Sequence, residues 1–162
     1  MERLLKSKGF SMVELIIALV IISIIAAAIY FKWSKSSFDL RSQAELLAND
    51  LRYTQNLSMT KNQRFRLVRI SATQYQFQDG NSTPFNIPGR TSGGIVNLQN
   101  GVTLGAPTIT FSAIIFDTKG VPYGNTSGGT IFKLTSTASF PLSLASESVS
   151  VTVAPETGKV TP

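Results

Sequence analysis

The longest apolar stretch of the chain lies near its N-terminus. Residues 15–31 are apolar except for Ser23, and apolar residues also precede this run. The stretch reaches about 20 residues, the length that a helix needs to cross a bilayer. A single segment in lipid satisfies its backbone hydrogen bonds only as a helix, so the pattern predicts a membrane-spanning helix over residues 10–33.

Beyond this stretch the pattern becomes that of an amphipathic helix. Apolar and small residues recur at helical spacing along one stripe, which Leu57 widens. The stripe consists of Leu40, Ala44, Leu47, Ala48, Leu51, Thr54 and Ser58. Asn62 is a suitable stop, because asparagine tolerates the left-handed conformation that closes helices. We expect residues 34–62 to continue the helix and to present the stripe to a folded head.

The head, residues 63–162, has the short alternating segments and turn residues that are typical of strands. Strands are predicted over residues 65–70, 74–78, 95–98, 102–104, 109–116, 130–134 and 148–153. Asn100-Gly101 is expected to close a hairpin between the third and fourth of these, and residues 124–129 are expected to form a turn. The sequence therefore predicts an α+β fold, with one long N-terminal α-helix packed on a head of short antiparallel β-strands.

Composition excludes several function classes. The 162 residues include no cysteine and no histidine, which removes thiol nucleophiles and the commonest general base and transition-metal ligand. Asp117 with Asp79 or Asn125 suggests a calcium loop, but one acid beside Lys119 is a poor oxygen cage and turn chemistry explains the segment better. We expect no enzyme activity, no cofactor and no metal.

The net charge of +6 is unevenly distributed. Residues 1–9 carry a balance of +2, residues 32–69 carry +5, and residues 70–162 are neutral. A basic patch lies at the end of the predicted helix and just beyond it, and consists of Lys61, Arg64, Arg66 and Arg69. Such a patch can hold DNA phosphates, or it can be a solvated or subunit-facing surface, which is the interpretation we favour.

Glu14 is the one charged residue within the apolar segment. A carboxylate in lipid costs several kcal/mol unless it finds a partner, so it indicates a functional role. The next basic residue along the chain is Lys32, far beyond one helical turn. We therefore expect the partner of Glu14 on another molecule or at a newly made positive N-terminus.

The segment Lys8-Gly9-Phe10-Ser11-Met12-Val13-Glu14, followed by the apolar run, resembles the class III signal of type IV prepilins and pseudopilins. The resemblance implies that a membrane-embedded peptidase cuts between Gly9 and Phe10. A leader of residues 1–9 would be removed, and Phe10 would become the N-methylated first residue. Glu14 would pair with the amino terminus of a neighbouring subunit during assembly.

An ordinary signal peptide shares several features with this N-terminus. It also has a basic start and an apolar run, and Ala26-Ala27-Ala28 offers small residues for cleavage. However, the apolar stretch is longer than a typical signal peptide requires. A plain membrane anchor would account for the length of the stretch, but it leaves Glu14 unexplained.

The order of one long helix and then short strands is similar to that of the minor pilin and pseudopilin group of FimT, FimU and the H-type subunit of type II secretion. The passage from helix to strand over residues 48–63, the turn over residues 116–120 and the ending over residues 151–160 support this resemblance. It implies the pilin fold and a structural subunit of a type IV pilus or a type II secretion filament. The implied partners are other pilin or pseudopilin subunits, the prepilin peptidase and methyltransferase, and the bacterial inner membrane. One span would anchor the chain there, with its head exported to the periplasm or the cell surface.

The alternative function is that of a DNA-binding minor pilin of a competence pilus. Some FimT-like minor pilins bind DNA chiefly through a basic C-terminal tail with two arginines after a glycine. The matching tail here is Gly158-Lys159-Val160-Thr161-Pro162, with a single lysine. DNA is therefore a possible partner of the basic patch but not the favoured one.

Overall fold

The computed structural model describes residues 11–87, 91–108, 113–125 and 129–162, with only the helical backbone described for residues 30–36. The chain separates into two compact units, Met1–Lys35 and Ser36–Pro162, and the second is called the head unit below. Gly9 and Phe10, the predicted cleavage and methylation residues, lie outside the described residues.

The predicted long helix is present as α1 (Met12–Lys61), which contributes to both units. Its residues 12–29 have a mean hydropathy of 2.9, and the helix is long and apolar enough there to cross a membrane. The helix ends at Lys61, and Asn62 follows with a φ of 52°. Asn62 thus takes the left-handed conformation that was predicted for the helix end.

The stripe on the second half of α1 faces the core of the head unit, as predicted. All seven of its residues are at most 1% exposed, and Leu57 is half-buried beside them. Two polar residues that sequence reasoning did not single out, Gln43 and Asp50, are also buried. Since an isolated amphipathic helix is only marginally stable, the burial of this stripe against the strands stabilises this part of α1.

The described strands form two antiparallel sheets. They are β1 (Phe65–Ser71), β2 (Gln74–Asp79), β3 (Ile95–Asn97), β4 (Thr103–Leu104), β5 (Ala113–Phe116), β6 (Pro122–Asn125), β7 (Ile131–Lys133), β8 (Ala138–Leu144), β9 (Glu147–Val153) and β10 (Val160–Thr161). One sheet has the order β3-β2-β1-β5-β6-β7 and the other β10-β9-β8-β4. The predicted α+β class, with one long helix packed on short antiparallel strands, is confirmed.

The predicted hairpin around Asn100-Gly101 is wrong. The two residues do turn the chain, with φ values of 57° and 77°. However, β3 pairs with β2 and β4 pairs with β8, so the flanking strands belong to different sheets. The reason is burial: Val96 on one side and Val102 and Leu104 on the other enter the common core, which contains residues of α1 and of both sheets. The turn therefore carries the chain from one sheet to the other.

Sequence reasoning also missed three strands: β6, β8 and β10. Pro141 lies within β8 and is tolerated there because its missing N–H faces away from β9, while its carbonyl accepts the Gly105 N–H at 2.8 Å. The predicted turn over residues 124–129 is wrong for its first two residues, which belong to β6. A Cβ at Gly124 would lie 2.6 Å from the Phe132 ring, so glycine permits close cross-strand packing there.

Polar side chains of α1 fasten the helix to the loops and to the last strand. The Gln55 side-chain amide donates to the carbonyls of Gly120 and Thr157 at 2.9 and 3.0 Å. The Arg52 guanidinium donates to the carbonyl of Val160 at 3.1 Å. These contacts connect distant parts of the chain to one face of the helix, so they fix α1 within the head unit.

Candidate functional site

Glu14 lies in the first turn of α1 and its side chain is exposed. Ser11 precedes the helix, and its hydroxyl accepts the Val13 N–H at 3.4 Å, which is the geometry of an N-cap. Glutamate three residues after a capping serine is the pattern of a capping box, and the positive end of the helix dipole also favours a carboxylate there. Glu14 thus fits a local role as a helix cap.

Within the described part of the chain, Glu14 forms no ion pair and no side-chain hydrogen bond. Residues 11–29 contain no basic side chain at all. A carboxylate in lipid that is exposed on its own helix can be neutralised only from outside that segment. This geometry permits a charge partner on a second molecule, and residues 11–29 supply none.

The basic patch is divided by the pleat of β1. Lys61 and Arg64 are exposed, whereas Arg66 and Arg69 are half-buried. The Arg66 guanidinium donates to the Gly80 carbonyl at 2.8 Å, next to β2. The Arg69 Nε donates to the Leu104 carbonyl at 2.9 Å, in the other sheet. Positions 66 and 69 are an odd number of residues apart, so they lie on opposite faces of the strand.

Within the patch, Arg64 acts electrostatically on Arg66. Burial lowers the pKa of Arg66, the Asp79 carboxylate opposes this shift, and the neighbouring Arg64 adds to it. The guanidinium carbon of Arg64 lies 5.8 Å from the centre of the Tyr123 ring, within cation–π distance. The structure therefore associates Arg64 with Arg66, places Lys61 in the last turn of α1, and separates Arg69 from them.

Asp117 and Asp79 each close a turn of their own. The Asp117 Oδ1 accepts the N–H groups of Lys119 and Val121, both at 2.8 Å. The Asp79 Oδ1 likewise accepts two N–H groups of the loop that follows β2. The predicted turn at Asp117 is confirmed. Within the described ranges, no group of three or more acidic side chains is placed to hold a metal ion.

Asp50 is the charged residue that sequence reasoning missed. It is fully buried, and the Tyr75 hydroxyl donates to its Oδ2 at 2.6 Å. Asp50 lies three residues after Leu47 and four before Thr54, so the helical stripe itself could have revealed it. A buried carboxylate costs free energy unless it is hydrogen-bonded, and this bond from β2 to α1 supplies a partner. Its role is therefore in the structure of the head unit.

Comparisons with known proteins agree with this architecture. The prokaryotic N-terminal methylation motif matches residues 4–30, and the type II transport protein GspH matches residues 43–157. No curated protein matches the chain significantly by sequence.

Two kinds of solved structure are similar in fold. The type IV minor pilin FimU of Pseudomonas aeruginosa has a TM-score of 0.53 at 10% identity, covering 77% of this chain and 88% of FimU. The minor pseudopilin EpsH from the type 2 secretion system of Vibrio cholerae has a TM-score of 0.51 at 13% identity, covering 76% of this chain and 94% of EpsH. The predicted resemblance to the prepilin and H-type group is confirmed. The chain belongs to the type II transport protein GspH family of minor pilins and pseudopilins.

Proposed function

We propose that this chain is a structural subunit, a minor pilin or pseudopilin, of a type IV pilus or a type II secretion filament. The observation that carries this proposal is the methylation motif over residues 4–30, which includes the apolar segment Met12–Ile29 of α1 and is followed by a pilin-type head. The family and the fold are those of structural subunits rather than of known enzymes. In this proposal the chain acts by assembling with other subunits.

The proposal includes processing at the N-terminus. Prepilin peptidase would cut after Gly9 and leave Phe10 as an N-methylated first residue. The basic leader favours a cytoplasmic N-terminus, so one span would anchor the chain in the inner membrane with the head on the far side. Cleavage replaces the leader by a positive amino group four residues before Glu14. This amino group would be the partner for the Glu14 of a neighbouring subunit.

Pairing of Glu14 with that amino group follows from the cost of a charge in lipid. Either group alone in the apolar segment is unfavourable, whereas an amine and a carboxylate on adjacent subunits neutralise each other. The two groups are four residues apart in sequence, so their pairing between subunits also defines a stagger. The exposed position of Glu14 supports this role, since residues 11–29 contain no basic side chain that would compete for it.

Glu14→Gln tests the proposed pairing. Glutamine keeps a side chain that can serve in a capping box but removes the charge. We expect incorporation into filament or envelope assemblies to fall about tenfold or more, since ~1.4 kcal/mol of lost pairing already corresponds to tenfold. The measurement is quantitative immunoblotting of sheared filaments and of cross-linked envelope assemblies, normalised to total protein.

Ser23→Ala is the matched control. It changes a polar residue of the same span, whose hydroxyl bonds its own helix at the Leu19 carbonyl at 2.7 Å. Its incorporation should equal that of the unmodified chain. Normal incorporation of Glu14→Gln together with loss for Glu14→Ala would mean that Glu14 acts only as a helix cap.

DNA binding has weaker support than assembly. Arg66 and Arg69 are both engaged with backbone carbonyls, and they lie on opposite faces of β1. Lys61 and Arg64 are the exposed members of the patch. We therefore do not propose DNA as a principal partner.

A further inference from the structure

One edge of β9 is only partly covered. On one side, β8 pairs with β9 along its whole length. On the other side, β10 pairs with β9 only at Val153 and Thr152. Within the part of the chain that the structure describes, no strand pairs with residues 147–151 on that side. Strand β10 therefore covers only the end of β9, and residues 147–151 form an open edge of the four-stranded sheet.

The register defines which backbone groups point toward this open edge. The Ala154 N–H donates to the Lys159 carbonyl on the β10 side, at 2.9 Å. In an antiparallel strand the direction alternates, so Thr152, Ser150 and Ser148 also direct their N–H and C=O groups to that side. Thr152 lies opposite β10, whereas Ser150 and Ser148 have no backbone partner there among the described residues. Two donors and two acceptors thus face the open side.

A groove between β9 and α1 adjoins these groups. It consists of two clefts of about 300 Å³ and about 360 Å³, which share Arg41 and Val149 in their lining. Leu40 and Ala44 of α1 and Val149 of β9 supply its apolar surface. An apolar groove beside an unpaired strand edge fits an extended peptide, because its backbone can pair with the edge while alternate side chains enter the groove.

The charges along the groove indicate which segment it accepts. Glu45 lines one cleft and Glu147 the other, while Arg41 lines both. None of the three forms an ion pair within the described ranges. The two carboxylates exceed the one guanidinium, so an occupant with a basic side chain is favoured over an acidic one.

We propose that an extended, basic segment of a different filament subunit adds to the open edge of β9 as a further strand. This inference rests on the proposed function, because α1, the helix through which assembly would occur, also forms the opposite wall of the groove. A neighbouring subunit is therefore the protein that assembly brings to this edge. The new strand would bond Ser148 and Ser150 through its backbone and place one apolar side chain against Val149.

Photo-crosslinking of the full chain in producing cells tests this contact. Since the chain has no cysteine, Ser148→Cys carries the one thiol, which is labelled with benzophenone maleimide. The labelled position is combined with either Ser150→Pro or Ser150→Ala. Proline removes the N–H that faces the open edge and leaves the β8 ladder intact, whereas alanine removes only the side-chain hydroxyl. Ser146→Cys, exposed in the β8–β9 turn and outside the groove, is the control label.

We expect the label at position 148 to capture one peptide of another pilin-family subunit. Ser150→Pro should lower the yield about five- to tenfold, the effect of one lost backbone hydrogen bond, and Ser150→Ala should leave it unchanged. An undiminished yield with proline, an equal yield from the control label, or capture of a second copy of this chain would overturn the proposal.

If the proline variant does not fold, amide hydrogen exchange of the unsubstituted chain tests strand addition to β9 instead. The Ser148 and Ser150 amides should exchange fast in the chain purified in detergent and slowly in isolated filament or envelope assemblies. Fast exchange in both states would refute strand addition while leaving the proposed subunit function intact. Absence of the chain from every assembly would instead refute the proposed function.

Discussion

Tyr75→Phe removes a single oxygen atom from the core of the head unit. Tyr75 is fully buried, and its hydroxyl donates to the Asp50 carboxylate at 2.6 Å. The ring packs against Phe77 with centres 6.3 Å apart, and phenylalanine preserves that contact. Leaving a buried acceptor without its donor costs about 1–3 kcal/mol of stability. For a unit of this size, such a loss lowers the melting temperature by roughly 5–15 °C.

Tyr53→Phe provides the matched control. Tyr53 is 41% exposed, its ring also lies 6.3 Å from that of Phe77, and its hydroxyl forms no hydrogen bond within the described residues. Its removal should change the melting temperature by about 1 °C or less, as is usual for exposed positions. The assay is near-ultraviolet circular dichroism of the full chain in detergent, because the apolar part of α1 would keep its far-ultraviolet signal. Equal melting temperatures for Tyr75→Phe and the unmodified chain would refute the reasoning.

Two further substitutions test the packing, each by chemical denaturation beside a control. Gly158→Ala should lower the free energy of unfolding by at least ~2 kcal/mol. The φ of Gly158 is 66°, and the new Cβ would lie 2.5 Å from the Gly120 carbonyl oxygen. Gly93→Ala, with a φ of 63° and nothing within 4 Å of its Cβ, should cost only ~1 kcal/mol, and equal losses would contradict the contact argument. Leu47→Ala should cost about 2–5 kcal/mol, since Leu47 is fully buried in the core. Phe38→Ala replaces a side chain that is 72% exposed, so it should change the free energy of unfolding by about 0.5 kcal/mol or less. A similar loss for Leu47→Ala and Phe38→Ala would show that the stripe does not face the core.

The helix and its buried stripe could be predicted from the sequence, because burial along one side of a helix leaves a repeat that is visible in the sequence. The pairing of the strands could not be predicted. Asn100-Gly101 specifies a turn, but which sheet receives β3 and β4 depends on distant partners such as Gln76 and Ser143. Likewise, whether β8 can contain Pro141 depends on which side of the strand its missing N–H faces. Both features depend on the register of strand pairing, and a local sequence pattern does not determine that register.

The candidate sites also differ in whether a local sequence signal reveals them or whether they depend on strand pairing. Glu14 could be identified from the sequence because a charged residue within an apolar run is unusual in any fold. The basic patch was inferred from nearness in sequence, and the pleat of β1 then placed Arg66 and Arg69 on opposite faces. Asp50 lies beside the predicted stripe but was not identified as buried, because its partner Tyr75 is 25 residues away in sequence. The open edge of β9 depends on strand pairing and has no local signature.

The most direct test of the account is mass spectrometry of the mature N-terminus, made on the chain recovered from sheared filaments and from the remaining cell envelope. The account predicts N-methylated Phe10 as the first residue in whichever fraction holds the assembled protein. Recovery with sheared filaments at a low ratio to a major pilin would identify a minor pilin, and confinement to the envelope would identify a pseudopilin. An N-terminus that retains Met1, or one that begins after Ala28, would contradict the claim that this chain is a processed filament subunit.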